Sequence, residues 1–209
     1  MTFYRFPFPN MVKSWRAKTP PDFKFTFKAN RLITHVKKFE NTEDLVKKFL
    51  TLLDLIEDKL ACILWQLPPS MHFSAQNMEI LNNFLSKFEP GESERKNVIE
   101  FRHKSWWNEE TYNMLSEHNA GFCITSAPSL PDDFVVTSDT AYIRFHGVKA
   151  WYRHDYSCEE LGEWADKIKR AKAKAKSCKE IYCYFNNDYE AYAPKNAMAL
   201  MNNLNPLYF

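Results

Sequence analysis

Apolar and polar side chains alternate along most strand-like segments of this chain, and this pattern restricts the fold more than any other feature. Residues 23–28 read FKFTFK, so the phenylalanines point to one side of a strand while the lysines and the threonine point to the other. The same division recurs in residues 97–103, 140–146 and 180–186. Each of these strands needs an apolar layer against one face and polar surroundings on the other.

Strands and helices follow each other along the chain, which is typical of parallel βαβ units. The strand-like segments cover residues 23–28, 61–66, 97–103, 120–125, 140–146 and 180–186. Helix-like segments begin after Thr42, near Ala75, after Asn108, at Ser157 and near Pro194. Ser157 and Glu160 have the spacing of a capping box, and Pro194 suits a first helical turn.

The polar strand faces favour a closed barrel over an open doubly wound sheet. An open sheet is covered by helices on both faces, so the polar face of strand after strand would lie against apolar helix surface. In a barrel the apolar face meets the outer helices, and the other face lines a lumen that opens to solvent at the strand ends. We therefore predict an α/β fold, a TIM-like (β/α) barrel made by one domain over residues 1–209.

The composition argues against several classes of function. The 28 lysines and arginines nearly balance the 26 acidic residues, so a broad cationic surface for nucleic acid is not indicated. With only four glycines the chain has no Gly-rich phosphate loop, and its five cysteines include no Cys-x-x-Cys pair. No run approaches the ~18 apolar residues of a membrane span. We expect a cytoplasmic protein with no membrane segment and no cofactor.

Six segments together span nearly the whole chain, and they read TFYRFP, TPPDFKFTFKANRLITH, ILWQLPPSMHF, NVIEFRHKSWWNEE, AYIRFHG and IYCYFNNDYEAYAPKNA. In sequence and in order they resemble the YecE-like proteins, a family also described as domain of unknown function seventy-two. The resemblance implies a TIM-like barrel, in agreement with the strand faces. It implies no reaction, because the molecular function of the family is not established.

Two features depart from the family pattern. This chain begins at about the end of the family's second strand, so we expect a barrel that is incomplete at the N-terminus, with about seven strands and a short first one. Either the true start lies upstream, or the open seam is covered by a rearranged N-terminus or by a partner chain, such as a second copy in a homo-oligomer. Relatives often carry Asp-Ser-Pro after the sixth strand, where this chain has Ser126, so a carboxylate is missing there.

Polar residues concentrate at the late ends of the strands, where barrels carry their active sites. Glu100 and His146 are the candidate catalytic residues, since a carboxylate and an imidazole at such ends can transfer protons. Glu100 and Arg102 could equally form a lumen ion pair with Lys28 or Arg144 that only fills the barrel. His35 ranks below His146, and His103 is expected to cap a loop or a helix.

Cations outnumber acids among the presumed rim residues, which favours a small anionic ligand such as a phosphate or carboxylate. The candidate substrate-binding residues are Arg5, Lys28, Gln66, Arg102, Arg144, Tyr184 and Asn186. Too few inward carboxylates and imidazoles are present for a metal cluster, so a metal-dependent phosphoesterase acting on nucleic acid is the least favoured hypothesis.

Two hypotheses therefore remain open. The first is an enzyme, a hydrolase, lyase or isomerase, that acts on a small anionic substrate. The second is a binding or assembly module whose lumen charges only stabilise the barrel.

Overall fold

The computed structural model describes residues 2–88, 95–174 and 178–204. The chain divides into two compact units, Met1–Ala120 and Gly121–Phe209. Within the described residues, no helix has the length and apolar character that crossing a membrane requires. All five cysteines are free thiols.

The first unit contains three parallel strands in the order β1-β2-β3. The strands are β1 (Phe25–Lys28), β2 (Leu60–Gln66) and β3 (Lys96–Glu100), and the α-helices are α1 (Pro9–Lys18), α2 (Glu43–Asp54), α3 (Ala75–Leu85) and α4 (Glu109–Glu117). Short helices of other types cover Leu32–Val36, a π-helix, and Glu57–Lys59 and Lys104–Trp106, both 3₁₀.

Aromatic packing fixes which face of this sheet meets the helices. Trp65 of β2 lies edge-on to Phe49 of α2 and to Phe84 of α3, at centroid distances of 6.0 and 4.9 Å. Its indole N–H donates to Asn97 Oδ1 on the neighbouring strand at 2.9 Å. Since side chains alternate along a strand, Leu64 and Gln66 point away from the helices.

The second unit repeats this arrangement with three parallel strands in the order β4-β5-β6. Its elements are β4 (Gly121–Ser126), β5 (Thr140–Phe145), β6 (Glu180–Phe185), a 3₁₀ turn at Tyr189–Ala191, and the helices α5 (Cys158–Lys174) and α6 (Tyr192–Leu204). Ile124, Ile143 and Phe145 form one buried cluster with Trp164 of α5 and Leu200 of α6. Burial of this apolar face is the main stabilising contribution to the unit.

Local sequence signals explain where the helices begin. The predicted capping box is confirmed, because Ser157 Oγ accepts from the Glu160 N–H at 3.2 Å and the Glu160 carboxylate accepts from the Ser157 N–H at 2.8 Å. Asn108 caps α4 through the Thr111 N–H at 2.9 Å. Pro194 lies in the first turn of α6, as predicted.

Two details of the predicted architecture are wrong. The described residues contain six strands, not about seven, because residues 2–5 form a turn and a bend and residues 6–8 have no regular secondary structure. The strand predicted at 97–103 ends at Glu100, where the chain turns into a 3₁₀ helix. His103 caps this helix by accepting the Ser105 N–H, so the predicted capping role of His103 is confirmed. The helix α1 and the π-helix were not predicted.

Candidate functional site

In the first unit, polar residues at the ends of β1 and β2 are joined by a direct hydrogen bond. Lys28 Nζ donates to Gln66 Oε1 at 2.7 Å. The same ammonium lies 3.9 Å from the centre of the Phe3 ring, within the range of a cation–π contact. Lys28 and Gln66 therefore lie together on the sheet face that points away from the helices, as the alternation predicted.

Glu100 and Arg102 form a close ion pair at the end of β3. Arg102 Nη1 donates to Glu100 Oε1 at 2.7 Å. The Glu100 side chain is fully buried and the Arg102 side chain is 12 % exposed. Removing charges from water costs free energy that the mutual attraction must offset, so this pair is sensitive to loss of either partner. The structure thus contains a Glu100–Arg102 ion pair, and the choice between a structural and a catalytic role for it stays a prediction.

His35 of the π-helix lies near the same charges, although the sequence ranked it below His146. Its ring is edge-on to Phe3 at 5.0 Å, and its Nδ1 is 2.8 Å from Thr34 Oγ1. Burial lowers the pKa of His35 to about 4, and the positive charges of Lys28, Arg31 and Arg102 act in the same direction, whereas Glu100 opposes them. His35 is therefore neutral at pH 7 beside three cations and one carboxylate.

In the second unit, Arg144 and Asn186 connect the ends of β5 and β6. Arg144 Nη2 donates to Asn186 Oδ1 at 2.6 Å. Arg144 is in register with Thr125 on one side and with Tyr184 on the other. Tyr184 stacks on Tyr142 with ring centres 5.0 Å apart. These side chains alternate with the apolar cluster that faces the helices, so they lie on the opposite, polar face.

His146 is buried just beyond the end of β5. Its backbone N–H donates to Ser126 O at 2.8 Å, and its ring is 5.3 Å from Trp151 and 5.8 Å from Tyr152. Gly147 follows with φ +101°, and a Cβ atom there would come within 2.5 Å of Ala150 O. The space beside Gly147 is filled by the chain's own loop, through Ala150 O and His154.

The remaining candidate residues differ in their exposure and in the unit to which they belong. Arg5 is exposed, and within the described residues no hydrogen bond or ion pair joins it to another candidate. Glu100 and His146 belong to different units, so their shared proton transfer stays a prediction. In the described part of the chain, no group of three or more side chains of the metal-binding types comes together.

Sequence reasoning did not single out Thr125, a buried polar residue at the end of β4. Thr125 is fully buried on the polar face of β4, and its hydroxyl has no hydrogen-bond partner among the described residues. The alternation within GFCITS could have found it, because Cys123 and Thr125 alternate with the residues that face the helices. The sequence named His35 only below His146, since its position depends on the π-helix.

A family model described as "Protein of unknown function DUF72" matches residues 1–208. The chain belongs to the DUF72 family. The resemblance seen in the sequence is thereby confirmed, and the family description itself names no activity. Residue roles in this DUF72 chain must therefore be argued from its own geometry.

Curated relatives of this DUF72 chain carry the designation UPF0759. It is 24 % identical over 238 residues to UPF0759 protein YunF of Bacillus subtilis, a match that spans 99 % of the chain and 82 % of the relative. It is 32 % identical over 116 residues to UPF0759 protein YecE of Escherichia coli K12, which spans 54 % of the chain and 41 % of that relative.

Solved structures of DUF72 family proteins are similar over almost the whole chain. One from Thermotoga maritima superposes with a TM-score of 0.84 at 32 % identity, covering 98 % of this chain and 82 % of that one. Another from Enterococcus faecalis gives a TM-score of 0.85 at 21 % identity, covering 97 % and 82 %. The second likeness concerns the fold alone.

Proposed function

We propose that this DUF72 chain binds a small oxyanion, a phosphate or a carboxylate, at the carboxyl ends of β1, β2 and β3. The observation that carries the proposal is the charge distribution around His35. Lys28, Arg31 and Arg102 all act on this ring as cations, and Glu100 is the one carboxylate that opposes them. A locally positive rim in a chain with a net charge of only +2 favours an anionic ligand.

The groups at this rim suit an oxyanion for two further reasons. Arg102 is mostly buried, so its donors work in surroundings where electrostatic attraction is less screened than in water. Gln66 accepts from Lys28 and so fixes the position of that ammonium. Within this proposal, Glu100 and His146 provide acid/base chemistry, Arg5, Arg144, Tyr184 and Asn186 provide further contacts, and the reaction would be that of a hydrolase, lyase or isomerase.

We also propose that residues 1–209 form one TIM-like barrel domain. The family match over residues 1–208 supports this, because one family pattern spans both units. The parallel strands of each unit, with an apolar face toward the helices and a polar face away from them, are those a barrel needs.

Thermal unfolding in the presence of anions tests the binding proposal. The wild-type chain should gain stability in a dose-dependent way with inorganic phosphate, or with acetate and succinate, because a ligand that binds only the native state stabilises it. Arg102→Met and Lys28→Met should lose this gain. Arg170→Met, which removes an exposed arginine of α5, is the matched control and should keep it.

A binding or assembly module whose charges only stabilise the fold is a second candidate function, and the contacts inside the first unit favour it. The Glu100–Arg102 pair and the Lys28–Gln66 hydrogen bond are both made within the unit itself. On that hypothesis, Arg102→Met lowers the melting temperature while no anion stabilises the wild-type chain. A flat response to phosphate, acetate and succinate would therefore end the binding proposal and support the module.

A further inference from the structure

Three side chains lie at one level of the second sheet. Thr125 of β4, Arg144 of β5 and Tyr184 of β6 are in register across the three strands. Their chain neighbours Ile124, Ile143 and Phe145 are packed in the cluster with α5 and α6. Because side chains alternate, the Thr125–Arg144–Tyr184 row points to the face away from these helices.

The Thr125 hydroxyl is the first sign of a ligand. Thr125 has no exposed surface, and among the described residues no group accepts from or donates to its Oγ1. Burying a hydroxyl without a hydrogen bond is costly, and the great majority of buried polar atoms in native proteins have a partner. A ligand that forms a hydrogen bond with the Thr125 hydroxyl would therefore remove this cost.

The Asn186 amide is the second sign. Its Oδ1 accepts from Arg144 Nη2 at 2.6 Å, which turns the amide so that Nδ2 is directed elsewhere. No residue in the described ranges accepts from Asn186 Nδ2. The next residue shows the contrast, because Asn187 Nδ2 donates both to His154 O at 2.8 Å and to Asn196 Oδ1 at 2.6 Å. Asn187 is a structural amide, whereas the Asn186 amide has donor capacity left for a ligand.

We infer that Thr125, Arg144 and Asn186 together hold an oxyanion, with Thr125 as a ligand contact. The guanidinium and the amide nitrogen can only donate, and the hydroxyl can donate as well, so the bound group must be rich in acceptors. A carboxylate or a phosphate meets this requirement and suits the fork of an arginine. This inference rests on the proposed oxyanion-binding function and adds a second contact region for the same class of ligand.

An isosteric pair of variants tests the inference. In Thr125→Val the unpartnered hydroxyl is removed, so the unliganded protein should melt about 2–6 °C higher. The same variant should bind inorganic phosphate or acetate about 10-fold more weakly in calorimetric titration, because one hydrogen bond to a charged ligand is lost. Thr125→Ser keeps a hydroxyl and should retain most of the wild-type affinity.

Two further variants keep the test decisive. Thr51→Val removes an exposed helical hydroxyl that bonds Lys47 O, and should leave anion affinity unchanged. Asn186→Asp replaces a donor by a carboxylate beside Arg144, so it should abolish anion binding at this second contact region even if Thr125→Val does not fold. Loss with phosphate alone identifies a phosphate ligand, and loss with acetate alone identifies a carboxylate.

The results that overturn the inference differ from those that overturn the proposed function. If Thr125→Val and Asn186→Asp bind anions as tightly as the wild type while Arg102→Met does not, the second contact region is wrong and the first stands. If the wild type itself binds neither phosphate nor acetate, the proposed function and the inference fail together.

Discussion

The hydroxyl of Tyr156 donates a 2.8 Å hydrogen bond to Ser126 Oγ and accepts a 2.9 Å hydrogen bond from the Gly147 N–H. Tyr156 and Ser126 are both buried. Burial also raises the pKa of Tyr156 to about 12, so its proton stays in place as a donor over the whole neutral range. One phenol thus joins the end of β4, the turn after β5 and the chain that leads into α5.

Tyr156→Phe should lower the free energy of unfolding by about 1–3 kcal/mol, because it leaves the Gly147 N–H buried without a partner and Ser126 Oγ without its donor. Urea unfolding followed by circular dichroism measures the change. Tyr192→Phe is the matched control, because it removes an exposed phenol that bonds Glu190, and it should cause no measurable loss. Equal stability of the two variants would contradict the role assigned to Tyr156.

Gly147 and Gly162 should respond to alanine with opposite signs. Gly147→Ala should destabilise the protein by about 2–4 kcal/mol, because φ is +101° and the added Cβ would lie 2.5 Å from Ala150 O and 2.8 Å from His154 Cβ. Gly162 lies in α5, and a Cβ added there would have open space around it, with nothing within 4 Å, so Gly162→Ala should stabilise by about 0.5–1 kcal/mol. Denaturant midpoints measure both, and a stable Gly147→Ala would show that the loop after β5 can rearrange.

Alternation along the strands predicted the sheet faces well because it is a local property of the chain. The polar positions Lys28, Gln66 and Arg144 all lie on the face away from the helices, as FKFTFK and its counterparts indicated. The pairing of these side chains could not be predicted in the same way. The Lys28–Gln66 bond depends on the register between β1 and β2, which shifts between Phe25 and Thr26.

The location of His35 beside Phe3 and Lys28 could not be predicted from the sequence. Apolar periodicity in helices is read at a spacing of 3.6 residues, and the π-helix Leu32–Val36 does not follow it. The contact of Phe3 with His35 and with Lys28 also joins residues far apart in sequence. His103, by contrast, could be assigned a capping role because its partner is only two residues away.

The buried pair of Glu100 and Arg102 should show strong coupling in a double-mutant cycle. Arg102→Met should cost about 3–5 kcal/mol of unfolding free energy, because it removes the partner of a fully buried carboxylate. Adding Glu100→Gln should recover part of this loss, since the amide carries no charge, so the double variant is more stable than the sum of the single changes predicts. Arg16→Met and Asp58→Asn, at an exposed ion pair, are the control and should show no measurable coupling. Strictly additive losses at Glu100 and Arg102 would contradict the pairing.

His35 should make stability fall as the pH is lowered through the acidic range. Its pKa is about 4 in the folded chain and near 6.5 when unfolded, so between these values the unfolded state binds a proton that the folded state does not. Above pH 6.5 His35 is neutral in both states and does not lower the free energy of unfolding. As the pH falls from 6.5 toward 4, the free energy of unfolding decreases progressively because only the unfolded state binds the proton. Urea midpoints at intervals from pH 7 to pH 4.5 measure the slope, and His35→Gln should make it shallower.

Substitutions of the charges near His35 provide a second, independent test of its titration. Arg31→Gln removes a cation that lowers the pKa of His35, so the imidazole should titrate at higher pH, whereas Glu100→Gln removes the opposing carboxylate and should lower the pKa further. Proton NMR of the His35 ring, assigned with His35→Gln, follows both changes. Arg153→Gln, at an arginine of the second unit that lies over Tyr189, is the control because Arg153 is not among the charges that act on His35. If Arg31→Gln and Glu100→Gln moved the titration in the same direction, the charges around His35 would not be arranged as described, and the electrostatic case for an anion at the ends of β1, β2 and β3 would lose its basis.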